Sequence, residues 1–346
     1  MQAMTVVPGK PDTAAVGERA DPDTGDGSVL VAGVAIGICG TDREIVHRGH
    51  GRTPPGHRDL VLGHESLGRV LSAPTGSGLD AGDLVVGVVR RPDDCPCCQA
   101  GEWDFCRTGN YTERGIKGAD GFGSRQWRAD PGFLIRLAPT LADTGVLLEP
   151  TSVVAKAWEQ IDIIRGRACH DGNTALITGA GPIGLLAALL AVQRGYDTHV
   201  YDLMATGPKP DLVTRLGATY HSGAARDLPV RPDAVVEATG VGELVFDVLE
   251  LTAPNAVICL TGISTGSHDL AVPADAVNRR LVMGNEVIVG SVNAARRHYE
   301  QAASALAAAD PDWLLRMISR RVPLAHWPDA LTRQDSDVKV VVDLEH

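Results

Sequence analysis

A chain of 346 residues is long enough for two domains of ordinary size, and its 44% apolar and 22% charged side chains are those of a globular protein. Asp and Glu (43) outnumber Lys and Arg (32), and the net charge of −11 gives an acidic surface that repels phosphate, which argues against nucleic acid and membrane as partners. The opening Met1-Gln-Ala-Met-Thr-Val-Val-Pro8 has neither the basic start nor the apolar stretch of a signal peptide, so a cytoplasmic location is expected.

Residues 1 to 30 are rich in Asp, Gly, Pro and Thr, and only Thr5-Val-Val7 is expected to pair as a strand. From Val29 the pattern turns to short β-branched runs broken by glycine: Val29-Leu-Val-Ala-Gly-Val-Ala-Ile36, Leu60-Val-Leu62 and Asp83-Leu-Val-Val-Gly-Val-Val89. These predict a compact, mostly antiparallel β domain. Within it Gly37-Ile-Cys39-Gly-Thr41-Asp42-Arg-Glu44 and Leu62-Gly-His64-Glu65 each follow a strand, and Glu149-Pro150 precedes the first helix of the next domain. Taken singly, Cys39 and His64 read as buried structural residues. Together, a thiolate, an imidazole and carboxylates are the mixed set that zinc takes, and a catalytic site leaves one position for water or substrate. Four of the seven cysteines crowd between Cys95 and Cys106, which points to reduced thiols and metal instead of disulfides.

From Val153 to about Ser291 helix and strand alternate, with strands expected at Ile177, Val200, Val235-Val-Glu237, Val257-Ile-Cys-Leu260 and Val287-Ile-Val289. That alternation argues for a parallel sheet wrapped by helices. Its organising stretch runs from Thr174 to Val192 as strand, tight turn and helix. Gly179 permits the turn, Gly181 lets backbone approach a pyrophosphate, Gly184 lets helix pack on strand, and the helix start at Pro182 and Ile183 faces the phosphates. A second strand, His199-Val-Tyr-Asp202, ends in a carboxylate placed for the ribose hydroxyls of NAD. No arginine stands in Tyr201-Asp-Leu-Met-Ala-Thr206 to meet a 2′-phosphate, so NAD is favoured, with NADP left open by Lys209. After Asn293 a helix over 299–309 and two later segments lead to a strand, Val338-Lys-Val-Val-Val342, and Leu344-Glu-His346 reads as a cloning remnant.

Five ordered motifs across nearly the whole chain resemble the zinc-dependent medium-chain dehydrogenase/reductase superfamily, and within it the glucose 1-dehydrogenase branch: CGTDRE at 39–44, GHES at 63–66, LLEP at 147–150, GAGPIG at 179–184 and GSVN at 290–293. The resemblance implies an α/β chain with a GroES-like β-rich catalytic domain over 1–155, a Rossmann doubly wound parallel-sheet domain over 156–293 and a return to the catalytic domain over 294–346. It implies Cys39, His64 and Glu149 as ligands of a catalytic zinc, with Glu65 close to the metal and able to exchange with Glu149 or bind through water. Thr41 would pass a proton outward, and Glu113 and Asn293 would contact sugar hydroxyls, Asn293 also lying against the cofactor. The cysteine cluster resembles the structural-zinc lobe of the family, but the CxxCxxCxxxxxxxC pattern falls on Pro92, Cys95, Cys98 and Cys106, which leaves Cys97, Asp93 or Asp94 as the candidates for a fourth ligand of a structural zinc, and an empty or partly oxidised lobe as the alternative. Val89 and Val153 stand where relatives carry polar sugar contacts. The reading is an NAD(P)-dependent enzyme that oxidises a hydroxyl of an aldose such as glucose. A cyclitol, aminocyclitol or sorbitol-type polyol dehydrogenase is the nearest alternative, and a catalytically silent dinucleotide-binding protein a remoter one. A homo-oligomer, dimer or tetramer, is expected.

Overall fold

The computed structural model describes every residue except 24–26, 170–171, 265, 267–268 and 346, and its contacts divide the chain into two compact units, Met1–Ser152 with Ala294–His346, and Val153–Asn293. The first unit is built on a sheet in which Val29–Ile38 is central. It pairs antiparallel with Glu65–Ser72 on one side and with Lys339–Asp343 on the other. The side chains of Val29–Ile38 alternate in burial at first and are all buried by its end, where the strand enters the core with Met4, Phe122, Trp127, Trp327 and Val340.

Two expectations for the ends of this unit are corrected. Lys10–Glu18 is a strand that pairs antiparallel with Gln2–Val7, where the sequence suggested only Thr5-Val-Val7. It was hidden because it is an exposed edge strand containing Pro11 and lacking apolar alternation. Leu344 is no remnant: its side chain is 1% exposed in the core, its N–H donates to Val34 O, and its carbonyl accepts from Arg125. His346 lies outside the described residues. The late helix runs from Arg296 to Ala307, starting three residues earlier than expected.

The second unit is a six-stranded sheet, parallel throughout, in the order Thr219–His221, Asp197–Tyr201, Thr174–Thr178, Ala234–Glu237, Val257–Leu260, Val287–Gly290. The chain order reverses beside Thr174–Thr178, the switch point where such sheets bind nucleotides. Thr219–His221 was missed because three residues with one aromatic carry too short a pattern. Helix Pro182–Gln193 is buried from Gly184 to Ala191, which explains its lack of a polar face. Among the described residues no helix is long and apolar enough to cross a membrane.

Candidate active site

Three neighbouring strands assemble a cluster at one end of the larger sheet. Gly37 stands opposite Glu65, and Ile38 opposite Val340, so Cys39, Glu65 and Lys339 arrive side by side. Cys39 caps helix Gly40–Arg48: its Sγ accepts from the Thr41 N–H at 3.2 Å, and its own N–H donates to Asp42 Oδ2 at 2.9 Å. A sulfur at this position faces the N–H groups of the helix's first turn. His64 brings Nε2 to 3.0 Å from Cys39 Sγ, and its Nδ1 lies 3.3 Å from Asp42 Oδ1. Cys39, His64 and Glu65 thereby offer ligand atoms within 4.8 Å of one another.

The charges around this cluster call for a cation. Burial works against a charged His64, yet Cys39 and Asp42 beside it raise its pKa well above the usual imidazole range. The same imidazole holds Asp42 low against its burial. Glu149, in the first turn of Leu148–Arg165, is outside the close trio but feels it. Burial pushes its carboxyl up to about 7, outweighing the pull of His64, while Glu65 adds repulsion. A sulfur, an imidazole nitrogen and a carboxylate gathered in one close cluster, with the Glu149 carboxyl in electrostatic reach, fit a zinc ion. Glu65 is also engaged by a residue that the sequence reading overlooked: Lys339, 1% exposed, donates to both carboxylate oxygens at 2.7 and 2.5 Å. The signal was present, since a lysine within the apolar run Val338-Lys-Val-Val-Val342 needs a buried carboxylate.

In the second unit, Thr174–Thr178 leads into Gly179 at φ 90°, and Gly181 caps helix Pro182–Gln193. A methyl on Gly184 would overlap the Gly179 carbonyl oxygen, whereas one on Gly181 would meet nothing within 4 Å. The tight packing and the open space ahead of the helix N-terminus form a cradle that fits a pyrophosphate. Asp202 stands beside this turn, but its carboxylate is engaged: Oδ2 accepts from Ala180 N at 2.7 Å and from Lys209 Nζ at 2.8 Å, and Oδ1 from Met204 N at 3.1 Å. These contacts keep Asp202 below the usual carboxylate range despite its burial. Asn293, at φ 60°, follows the edge strand Val287–Gly290, and the buried Lys156 donates to the adjacent Val292 carbonyl at 3.1 Å.

The profile described as "Glucose dehydrogenase C-terminus" matches residues 142–344, and that described as "Alcohol dehydrogenase GroES-like domain" matches residues 25–138. The glucose 1-dehydrogenases of Methanocella arvoryzae and Thermoproteus tenax are 37% and 36% identical to this chain, over 99% and 100% of both sequences. This chain belongs to the glucose dehydrogenase branch of the zinc-dependent medium-chain dehydrogenases. Among solved structures, Haloferax mediterranei glucose dehydrogenase in complex with NADP, Zn and gluconolactone covers the whole chain at 32% identity with a TM-score of 0.91.

For this glucose dehydrogenase homologue, the cysteine lobe and Glu113 call for adjustment. Asp93, Cys95, Cys98 and Cys106 converge as one group. Cys97 is not part of it: on the short helix Pro96–Gln99, consecutive side chains diverge, and Cys98 is the one turned inward. Asp93 takes the position that Pro92 cannot fill. Its Oδ1 accepts from Cys95 N, and its Oδ2 from the Thr108 hydroxyl and the Cys106 thiol, contacts that hold it well below the carboxylate range. Burial pushes the Cys98 thiol up to about 12. Glu113 is not a bare surface carboxylate, because Arg90 holds it in an ion pair at 2.9 Å.

Proposed function

We propose that this chain is a zinc-dependent, NAD(P)-dependent sugar dehydrogenase that oxidises the anomeric hydroxyl of an aldose such as glucose to the lactone, passing hydride to the nicotinamide. The observation that carries this reading is the convergence of Cys39, His64 and Glu65, with Glu149 in electrostatic reach, in a chain that also holds a nucleotide cradle. Cys39 and His64 would hold zinc with Glu149 or Glu65. When bound there, the metal lowers the pKa of a hydroxyl toward neutrality.

The chain's own residues supply the rest. Asp42 orients the His64 ring so that Nε2 faces the cluster, the carboxylate–histidine support that metal-ligating imidazoles use. Lys339 grips both carboxylate oxygens of Glu65 at the cluster's edge and fixes where they point. Thr41, fixed by its N–H on Cys39 Sγ, is two residues from the ligand and takes the hydroxyl proton outward. Glu113 accepts from a remaining sugar hydroxyl. The helix N-terminus at Pro182 and Ile183 receives the pyrophosphate, and the Asp202–Lys209 pair meets the adenosine ribose. At the cysteine lobe, Asp93, Cys95, Cys98 and Cys106 would hold a structural zinc.

All seven cysteines are free, which supports a reducing, cytoplasmic setting. Homo-oligomerisation is supported by the edge strand Val287–Gly290, with Ile288 exposed, and by helix Ala274–Gly284, none of whose residues is buried. The test is metal content per chain on protein purified without added zinc, with NAD and NADP reduction followed over a panel of aldoses, polyols and cyclitols. Near two zinc ions and aldose-dependent reduction are expected. Cys39→Ser should abolish turnover while NADH still binds. Full activity in that variant would overturn the zinc mechanism, and turnover confined to polyols or cyclitols would replace the aldose.

A further inference from the structure

We infer that Arg90 is a positioning residue for sugar recognition, acting through Glu113, so that selectivity for substrate hydroxyls resides in an Arg90–Glu113 couple. The inference rests on the reading of Glu113 as a sugar contact. Arg90 and Glu113 are cross-strand partners, one on Arg90–Arg91 and the other on Thr112–Arg114. Arg90 is 4% exposed, and its guanidinium is fixed from three directions. Its Nε and Nη2 both donate to Glu113 Oε1, at 3.1 and 2.9 Å, and its Nη1 donates to the Trp103 carbonyl at 3.2 Å. Its plane lies on the Tyr111 ring, 3.7 Å from the centroid, while Lys117 approaches the same ring at 4.1 Å.

This arrangement does more than neutralise a charge. Two N–H groups of a rigid fork meeting one oxygen set the rotation of the carboxylate, which a flexible ammonium would leave to wander. A carboxylate that must accept from a sugar hydroxyl discriminates only if it is ionised and aimed. The couple also sits beside the metal cluster within the first unit. Arg114, next to Glu113, donates its N–H to Val89, which precedes Arg90. Gly115 packs so closely on Gly63, the residue before His64, that a methyl would come within 2.8 Å of the Gly63 carbonyl oxygen. The Val89 N–H donates to the buried Tyr299 hydroxyl at 3.3 Å, and Tyr299 in turn feels Glu149 and Ser152. With Val89 unable to hydrogen-bond sugar through its side chain, Glu113 carries a larger share of recognition.

The test compares Arg90→Met, Arg90→Lys, Glu113→Gln and the Arg90→Met/Glu113→Gln double variant on the zinc-loaded full chain. The readouts are kcat and KM for D-glucose and its monodeoxy analogues, with a thermal melt of each protein. Glu113→Gln is expected to raise the KM for D-glucose roughly tenfold with kcat little changed, and Arg90→Met to do the same. The double variant should be no worse than either single one, Arg90→Lys should recover only part of the loss, and one monodeoxy sugar should be indifferent to all of them. If Glu113→Gln raises KM and Arg90→Met leaves it at the wild-type value, Arg90 has no positioning role, while Glu113 keeps its own. If Glu113→Gln leaves KM unchanged, the sugar-contact reading of Glu113 falls, and this inference with it. Should Arg90→Met fail to fold, Arg90→Lys carries the test: a raised KM at an unchanged melting temperature supports the couple, and an unchanged KM overturns it.

Discussion

At the scale of single residues, the candidate site is a set of ligands held by neighbours that do not themselves ligate. Asp42 is the clearest case, being fully buried with one oxygen on the Cys39 N–H and the other facing His64 Nδ1. Such outer partners typically contribute on the order of 10- to 100-fold in metal affinity. Asp42→Asn should therefore weaken zinc binding by about that factor, read by competition with a chromophoric chelator, and wild-type affinity would show that the His64 ring needs no such support. A second residue-scale prediction concerns the cofactor. Lys209 neutralises Asp202 at 2.8 Å, so the carboxylate that would reject a 2′-phosphate is offset by a cation that can attract one. Lys209→Met should weaken NADPH binding by roughly tenfold with little change for NADH, and Asp202→Asn should do the reverse, weakening NADH and favouring NADPH. Titration of reduced-cofactor fluorescence decides it, and equal losses for both cofactors in Lys209→Met would remove Lys209 from the choice. Cys39, His64 and Glu65 were legible in the sequence because each sits in a motif beside a strand. Lys339 and Arg90 were not, because only the strand register brings them to their partners, and Asp42 as an orienting group was not, because the turn of helix Gly40–Arg48 that aims it at His64 is not visible in the spacing. Cys97 was chosen as readily as Asp93 because the sequence does not reveal which way a short helix turns its side chains.

At the scale of elements, the strand–turn–helix at Thr174–Gln193 separates two kinds of glycine. Gly184 is buried and a methyl there would overlap the Gly179 carbonyl, so Gly184→Ala must push the helix off the strand, at a cost of about 1–3 kcal/mol, and lose dinucleotide affinity as well. Gly181 has φ −79° with open space where its Cβ would be, so Gly181→Ala should leave the melting temperature near wild type and still weaken NADH binding, because the methyl occupies the pyrophosphate's place. Melts paired with NADH titrations test both, and a Gly181→Ala protein that binds normally would end the cradle argument. This element was readable in advance because its glycines fall in a fixed spacing between an apolar strand and an apolar helix. The hairpin Gln2–Val7 with Lys10–Glu18 and the strand Thr219–His221 were not, since an exposed edge strand and a three-residue strand bury too little to leave a pattern. The cysteine lobe is an intermediate case. Its spacing was visible, but its link to the strand pair that carries Arg90 and Glu113, through Arg90 on the Trp103 carbonyl, is a contact between elements that no spacing encodes.

At the scale of the whole molecule, the first unit is discontinuous in sequence, and its last strand, Lys339–Asp343, pairs directly with Val29–Ile38, so closing this sheet requires contact between residues some three hundred positions apart. That closure delivers Lys339 to Glu65 and buries Leu344, which ties completion of the fold to completion of the candidate metal site. The second unit closes its sheet within Val153–Asn293, from contacts local to that stretch. The two units should therefore respond separately to their ligands. A ligand held at 100 times its Kd stabilises the native state to which it binds by about 2.7 kcal/mol, and that gain appears first in the amides nearest the contact. Hydrogen exchange on the metal-stripped protein should show that zinc protects residues 39–48, 60–65 and 93–108, while NADH protects 178–185 and 202–204. Zinc that slows exchange only at 93–108 would place the metal in the cysteine lobe alone. NADH that leaves 178–185 unprotected would mean that the glycine turn is a packing device, and the dehydrogenase reading would then lack its cofactor site.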